Sequence, residues 1–290
     1  MRLTPMLAGA ALAATLLLTG CAADPDGADD ERPLPDPTFA AGTTMARIAE
    51  AGEVVIGVAL DQPLLSRAGA DGAPVGFDAE IAELVAHELG IAPDRIRWHE
   101  LLTREREQAL VDGTVDLVVQ SYSITESRAE RVGFAGPYYE AGQTFLVPEG
   151  NPDGVTTDAE GVEESLAGLT VCADHGSSSA DRVREYTHNV ITVDRLSDCF
   201  ALVRDGRADL LTSDDILLAG LLTATEGYEI VPGSIGVERY GIGIGHGDDE
   251  FREFLDGVLA DAFADGRWQE AWDATVGGAL PPPMPPTLDR

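Results

Sequence analysis

The chain contains no lysine. All 19 of its basic residues are arginine, set against 51 Asp and Glu, for a formal net charge of −32 over 290 residues. So acidic a balance repels phosphate backbones and anionic lipid surfaces, which excludes nucleic acid as a partner. Of the five histidines, no two have metal-ligand spacing. No nucleophile–base pair and no Gly-rich phosphate loop is visible, so no cofactor is expected and no catalytic constellation stands out. The apolar run that opens the chain is too short for a comfortable transmembrane helix.

That run ends at Leu18 in L-T-G-C, and it reads as a signal-peptide core over residues 1–20. The ending resembles a lipobox, cleaved before Cys21, whose thiol would then carry lipid and hold the protein to the outside of the cell membrane. Residues 21–44 are mostly Asp, Pro, Gly and Ala. They have too little apolar surface to fold and read as a disordered tether. Removing residues 1–20 from 290 leaves 270, enough for two lobes. With Cys21 lipidated, Cys172 and Cys199 remain, and an exported chain with two cysteines suggests one disulfide.

Residues 115–119 read as a buried strand. Gln120, Ser121, Tyr122 and Ser123 follow it, then a polar cluster to Ser127 and Arg128. Ligands in open α/β sheets bind beyond the carboxyl ends of the strands. Two hydroxyls and an arginine at such a place suit a carboxylate, because a guanidinium offers two parallel N–H bonds. Spacing alone equally allows a solvated Arg128 paired with Glu126 or Glu130.

The run D-L-V-V-Q-S-Y-S-I-T-E-S-R at 116–128, with F-A-G-P-Y-Y-E-A-G-Q at 134–143 and G-F-D-A-E-I at 76–81, resembles the signature of the polar amino-acid branch of bacterial extracellular solute-binding proteins, family 3. The resemblance spans residues 54–275. It implies an α/β, two-lobed periplasmic-binding-protein-like fold of type II. Two hinge strands are expected, at 138–142 and at E-R-Y-G-I-G, 238–243. Lobe 1 is expected over 45–138 and 241–278, lobe 2 over 143–237, and an exposed polyproline II tail over 279–290. Asp78 is expected to cap the helix that follows Gly76. Trp268 and Trp272, at i and i+4, are expected in the core.

The resemblance also implies a ligand set. Ser121, Ser123 and Arg128 match the residues that hold the ligand's α-carboxylate. Gly176, Ser177 and Ser178 match the strand–helix junction opposite. Asp214 matches the aspartate that meets the α-ammonium, and its neighbour Asp215 is the expected helix cap. Gln120, Gln62 and His175 are candidates for the ligand's side chain. Arg106 could reach the ligand's distal end, but a surface ion pair, the blander reading, is the one expected of it. Asp61-Gln62-Pro63 matches a D-Q-P of glutamate-type members, but many of those carry a basic residue where this chain has Ala59. Members often have cysteines at positions 172 and 199. The expected ligand is a polar amino acid of four or five carbons, glutamate or aspartate first, glutamine or asparagine next. The expected partner of a monomeric, lipid-anchored binder is an ABC permease. The paired cysteines and proline-rich tail also resemble actinobacterial sensors that report to a membrane receptor. A dehydratase-type enzyme on the same fold is the minor alternative.

Overall fold

The apolar runs pair into one nine-stranded sheet and a small three-stranded one. The structure, a computed structural model, describes residues 32–289. The expected signal peptide and the expected lipidation site, Cys21, therefore lie outside the described residues. In chain order the strands are β1 (Val54–Val58), β2 (Asp61–Gln62), β3 (Ser66–Ala68), β4 (Pro74–Val75), β5 (Ile96–Glu100) and β6 (Leu117–Val118). They continue as β7 (Gly133–Pro148), β8 (Val171–Asp174), β9 (Val190–Val193), β10 (Leu210–Asp214), β11 (Tyr228–Ile230) and β12 (Gly236–Ile244). The large sheet runs β5-β1-β6-β12-β7-β10-β8-β9, with β11 added along β7, and β2, β3 and β4 form the small sheet.

This topology produces two lobes. β1 pairs in parallel with β5 and β6, and β8 pairs in parallel with β9 and β10. Between these groups run two antiparallel strands, β7 and β12, paired from Gly236↔Gln143 to Ile244↔Gly133. The early part of β7 thus belongs with β6 and β12, while Gln143 to Leu146 pair with β10. The chain crosses between the lobes twice, which is the type II arrangement expected.

Helices cover the sheet. They are α1 (Thr44–Ala51), α2 (Phe77–Glu88), α3 (Arg106–Val111), α4 (Glu126–Ala129), α5 (Val162–Ser165), α6 (Ser178–Val183), α7 (Leu196–Arg204), α8 (Asp215–Leu222), α9 (Asp249–Asp265) and α10 (Arg267–Thr275). Among the described residues, none is long and apolar enough to cross a membrane. Thr43 caps α1 by accepting from Ala46 N, and Gly52, at φ 64°, ends it. The lobe around β1 packs Ile56, Val58, Ile81, Val85 and Leu117 against Leu255 and Leu259 of α9. The other lobe has its own cluster around Phe145, Val162, Leu166, Val171 and Leu210.

The G-F-D segment has a physical reason at each residue. Gly76 sits at φ 135°, and a Cβ there would lie 2.4 Å from the carbonyl oxygen of Leu65. Phe77 packs edge-on against Trp268 and Trp272, with ring centroids 5.6 and 5.3 Å away. Trp268 and Trp272 are buried, as the i, i+4 pattern predicts. Asp78 is not the helix cap expected of it. The cap position is Gly76, with no side-chain bond. Asp78 is instead fully buried, and its carboxylate accepts from Ser121 N at 2.8 Å and Tyr138 Oη at 2.7 Å.

The expected tether ends earlier than residue 44, because Phe39 already packs edge-on against Phe254 at 5.4 Å. The proline-rich tail is mostly exposed, with Met284 89% exposed, but it is tied down at both ends. Leu280 and Leu288 pack against the main core, Asp289 N donates to Gly136 O at 2.9 Å, and the Asp289 carboxylate pairs with Arg239.

The Cys172–Cys199 disulfide is present, joining β8 to α7 with the two Cα atoms 5.6 Å apart. It closes a loop of 27 residues, for which chain entropy gives a stabilisation of about 3.5 kcal/mol. Thiol titration of the protein, unfolded without reductant, should find neither cysteine free. Reduction should lower the urea midpoint, and the slope should not fall, because the reduced unfolded chain is free to expand. Two titratable thiols in the unreduced protein would contradict the pairing.

Candidate functional site

The carboxyl ends of β6, β8 and β10 meet where the two lobes face each other. After β6 the chain turns sharply, with Ser121 at φ 38°, in the left-handed region that disfavours side chains. Three groups hold this turn. Asp78 takes Ser121 N, the Ser121 hydroxyl donates to Gln62 Oε1 at 3.1 Å, and Arg106 Nη1 donates to the carbonyls of Gln120 and Ser121 at 2.9 and 3.2 Å. Arg106 also donates from Nε to Thr103 O at 2.9 Å, and its Cζ sits 4.4 Å from the centre of the Tyr122 ring. It is fully buried, not the surface arginine of the blander reading, and burial lowers its pKa to about 10.

Across the cleft, Gly176 sits at φ 84°, where a Cβ would come within 2.8 Å of Arg104 Cα. Ser177 caps α6 by accepting from Ala180 N at 3.0 Å. Ser178 donates to Glu238 Oε2 at 2.6 Å and lies 3.1 Å from the Ser123 hydroxyl of the other lobe. Asp214 is buried at the end of β10, accepting from Ser179 at 3.1 Å and from Tyr240 Oη at 2.5 Å. Its neighbour Asp215 is not the cap. It occupies the first turn of α8 and accepts from Ile216 N, while Asp214 holds the cap position without a capping bond.

The lobes enclose a cavity of about 20 Å³. Gln62, Thr103, Arg106, Ser121 and Ser123 line it from one lobe, and Asp174, Ser177, Ser178, Ser179 and Asp214 from the other, with Leu196 and Leu217 as its apolar part. The volume is that of about one water, so the lobes are shut. Thr103 Oγ1 donates across the cleft to Asp174 at 2.6 Å. Nearer the surface, Arg104 takes both oxygens of Asp194 at 2.9 and 3.1 Å, and Arg195 meets Glu100 at 2.7 Å. A larger depression, about 540 Å³, lies far from the strand ends among Glu160, Glu163, Glu164 and His188. It is open, and none of the expected site residues lines it.

Seven of the expected residues therefore share one cavity: Ser121, Ser123, Ser177, Ser178, Asp214, Gln62 and Arg106. Four do not line it. Gln120 is buried alongside, donating to Leu101 O at 3.0 Å. Asp61 sits 4.0 Å from Arg195 at the cleft edge. His175 is exposed, 3.5 Å from Asp194. Arg128 is buried just outside. It donates to Ser123 O at 2.7 Å and to Gly176 O at 2.9 Å in the opposite lobe, and pairs with Glu107 at 3.2 Å. Sequence reasoning passed over Asp174, Thr103 and Ser179. Asp174 carries the same signal as Ser121 and Asp214, a polar residue at the carboxyl end of an apolar strand.

The family model of bacterial extracellular solute-binding proteins, family 3, matches residues 54–274. The chain is 28% identical to the ABC transporter glutamine-binding protein GlnH of Bacillus subtilis, over 79% of this chain and 83% of that protein. It is 31% identical to the glutamate-binding protein GluB of Corynebacterium glutamicum, over 79% and 80%. Among solved structures, a solute receptor for L-cysteine from Neisseria gonorrhoeae superposes with a TM-score of 0.74 at 28% identity, covering 82% of this chain and 95% of that one. An ancestral arginine-binding protein bound to glutamine gives 0.70 at 28% identity, covering 78% and 98%.

Burial raises the carboxyls of Asp61 and Asp215 above 3.8, and three others of this region are raised furthest. Burial lifts Asp78 to about 6, against its bonds from Tyr138 and Ser121. Burial lifts Asp174 to about 6, against Thr103 and Arg106. Burial and then the neighbouring Glu238 lift Asp214 to about 7. Each group holds its proton longer in the folded than in the unfolded chain. Stability should therefore fall as pH rises between about 4 and 7. Without added amino acid, the protein should melt at a higher temperature at pH 5.5 than at pH 7.5, and Asp214→Asn should shrink the difference. Identical melting temperatures at both pH values would show that these burial costs are relieved.

Proposed function

Because the chain belongs to the bacterial extracellular solute-binding proteins, family 3, we propose that it captures a polar α-amino acid of four or five carbons and presents it to an ABC importer. The observation that carries this reading is the convergence of Ser121 and Ser123 from one lobe with Ser178 and Asp214 from the other on one enclosed cavity. Hydroxyls suit an α-carboxylate and a buried carboxylate suits an α-ammonium, so the two ends of a zwitterion find complementary groups from opposite lobes. A ligand shifts the open–closed equilibrium only by its differential affinity. Contacts from both lobes supply that difference, and the paired strands β7 and β12 carry the rotation. The L-T-G-C ending at Cys21 supports a lipid anchor that keeps the protein at the membrane beside a permease.

Arg128 is the proposed carboxylate clamp, although it does not line the closed cavity. Its Nη2 meets Gly176 O across the cleft. Parting of the lobes would release that donor, and a carboxylate between Ser123 and Ser178 would compete for it. Losing a buried charge-assisted contact costs about 3–5 kcal/mol, so Arg128→Ala should bind amino acid more than a hundredfold more weakly with its circular dichroism unchanged. Arg128→Lys should also bind poorly, because the fork geometry is lost. Near-native affinity of Arg128→Ala by calorimetry would remove it from the site.

The ligand class is read by a thermal-shift panel of the amino acids, since a bound ligand raises the melting temperature by mass action. Shifts are expected with members of the glutamate, aspartate, glutamine and asparagine set, and not with lysine or arginine. A shift with arginine or lysine and none with those four would sink the class assignment.

A further inference from the structure

Asp174 ends β8 and is only 8% exposed. One carboxylate oxygen, Oδ2, accepts from Thr103 across the cleft at 2.6 Å. The other, Oδ1, is buried with no hydrogen-bond partner. Buried acceptors are nearly always paired, and a carboxylate oxygen without a donor is among the more costly groups to leave so. The residue lines the cavity between the lobes, and no established role accounts for it there.

The charged groups that act on Asp174 are Arg106 from α3, Asp61 from β2 and Asp194 beyond β9. Arg106 does not complete it, because its Nε and Nη1 donate to the carbonyls of Thr103, Gln120 and Ser121. It contributes positive charge near Asp174 without supplying an N–H to Oδ1. What the site lacks at Oδ1 is a donor, and the nearby guanidinium makes a second full cation unfavourable.

We infer that Asp174 Oδ1 receives the ligand's side chain and selects a carboxamide, glutamine or asparagine, over the isosteric carboxylate. This rests on the amino-acid reading of the cavity. A carboxamide donates an N–H to Oδ1 as the lobes close. A side-chain carboxylate brings negative charge up to Asp174 and Asp214 and leaves Oδ1 unpaired. Sites built around a hydrogen bond discriminate steeply against a ligand that cannot make it. The preference reverses the order that the D-Q-P segment suggests, since Asp61 of that segment lies outside the cavity while Asp174 is in it.

The test is titration calorimetry of the whole protein and of Asp174→Asn with glutamine, asparagine, glutamate, aspartate and arginine at pH 7.5. In the wild type at least one amide should bind about tenfold or more tightly than its acid isostere. In Asp174→Asn, whose amide can donate to a carboxylate, that ratio should fall by about tenfold or invert. Equal affinity for amide and acid in the wild type overturns the inference, and does so even if the variant fails to fold. So does a ratio unchanged in a folded Asp174→Asn, or arginine binding more tightly than both amides. Each of these leaves an amino-acid site standing. No binding of any of the five to folded wild-type protein overturns the amino-acid reading itself, and this inference with it.

Discussion

The site hangs on one buried carboxylate. Asp78, in the first turn of α2, is taken wholly out of water, and burial lifts its pKa to about 6. Its two bonds offset that cost by joining elements remote in the chain. Ser121 N lies 43 residues away and Tyr138 Oη 60 residues away. One bond holds Ser121 in its left-handed turn, where its hydroxyl faces the cleft. The other holds Tyr138, on the strand that leads out of the first lobe. The tight approach of Gly76 to Leu65 and the aromatic packing of Phe77 deliver Asp78 to that place. Removing the carboxylate would leave Ser121 N and the tyrosine hydroxyl without partners, in a setting where each unpaired group costs about 1–3 kcal/mol.

Arginine carries out the cross-linking that remains. Arg106 gathers carbonyls from α3's entry and the β6 exit, Arg128 ties Ser123 to Gly176, and Arg182 bridges Gln143 and Glu238 near the two crossing strands. Each uses several N–H groups in fixed directions, which a planar guanidinium offers and an ammonium does not. The Tyr122 ring between Arg106 and Arg128, at 4.4 and 5.2 Å, adds an aromatic face to both. In a chain so acidic, these few cations are placed where carbonyls and carboxylates crowd, and the acidic excess is left to the solvated surface. The shut state is itself held by polar contacts across the cleft. Thr103–Asp174 is buried, whereas Arg104–Asp194 and Arg195–Glu100 are half exposed and open to screening by salt.

The fold was largely readable in the chain because its signals are local. Residues 54–58 are an apolar run of strand length, and 210–214 begin apolar and end in polar residues, which places those residues at the carboxyl end of a strand. That rule, with the family segments, nominates Ser121, Ser123, Ser178 and Asp214 from the chain alone. Asp174 fits the same rule but was passed over, because the loop of His175 and serines that follows it is the more conspicuous feature. Strand-end position cannot say which way a side chain turns. Gln120 and His175 stand at strand ends too, yet one is buried beside Leu101 and the other faces solvent near Asp194.

By itself the sequence determined the strand and helix periodicities, the count of cysteines available to pair, and the three segments that mark the family. Backbone geometry ties each of these to residues a few positions apart. Only the tertiary structure decided that Asp78 is a buried tie rather than a cap, that Arg106 and not Arg128 lines the closed cavity, and that the proline-rich tail returns to Gly136 and Arg239. Those outcomes depend on which groups meet across 43 residues of chain or more, or across the closed cleft. A polar side chain is committed by whichever partner folding brings within about 3 Å of it, and no local pattern encodes that distance.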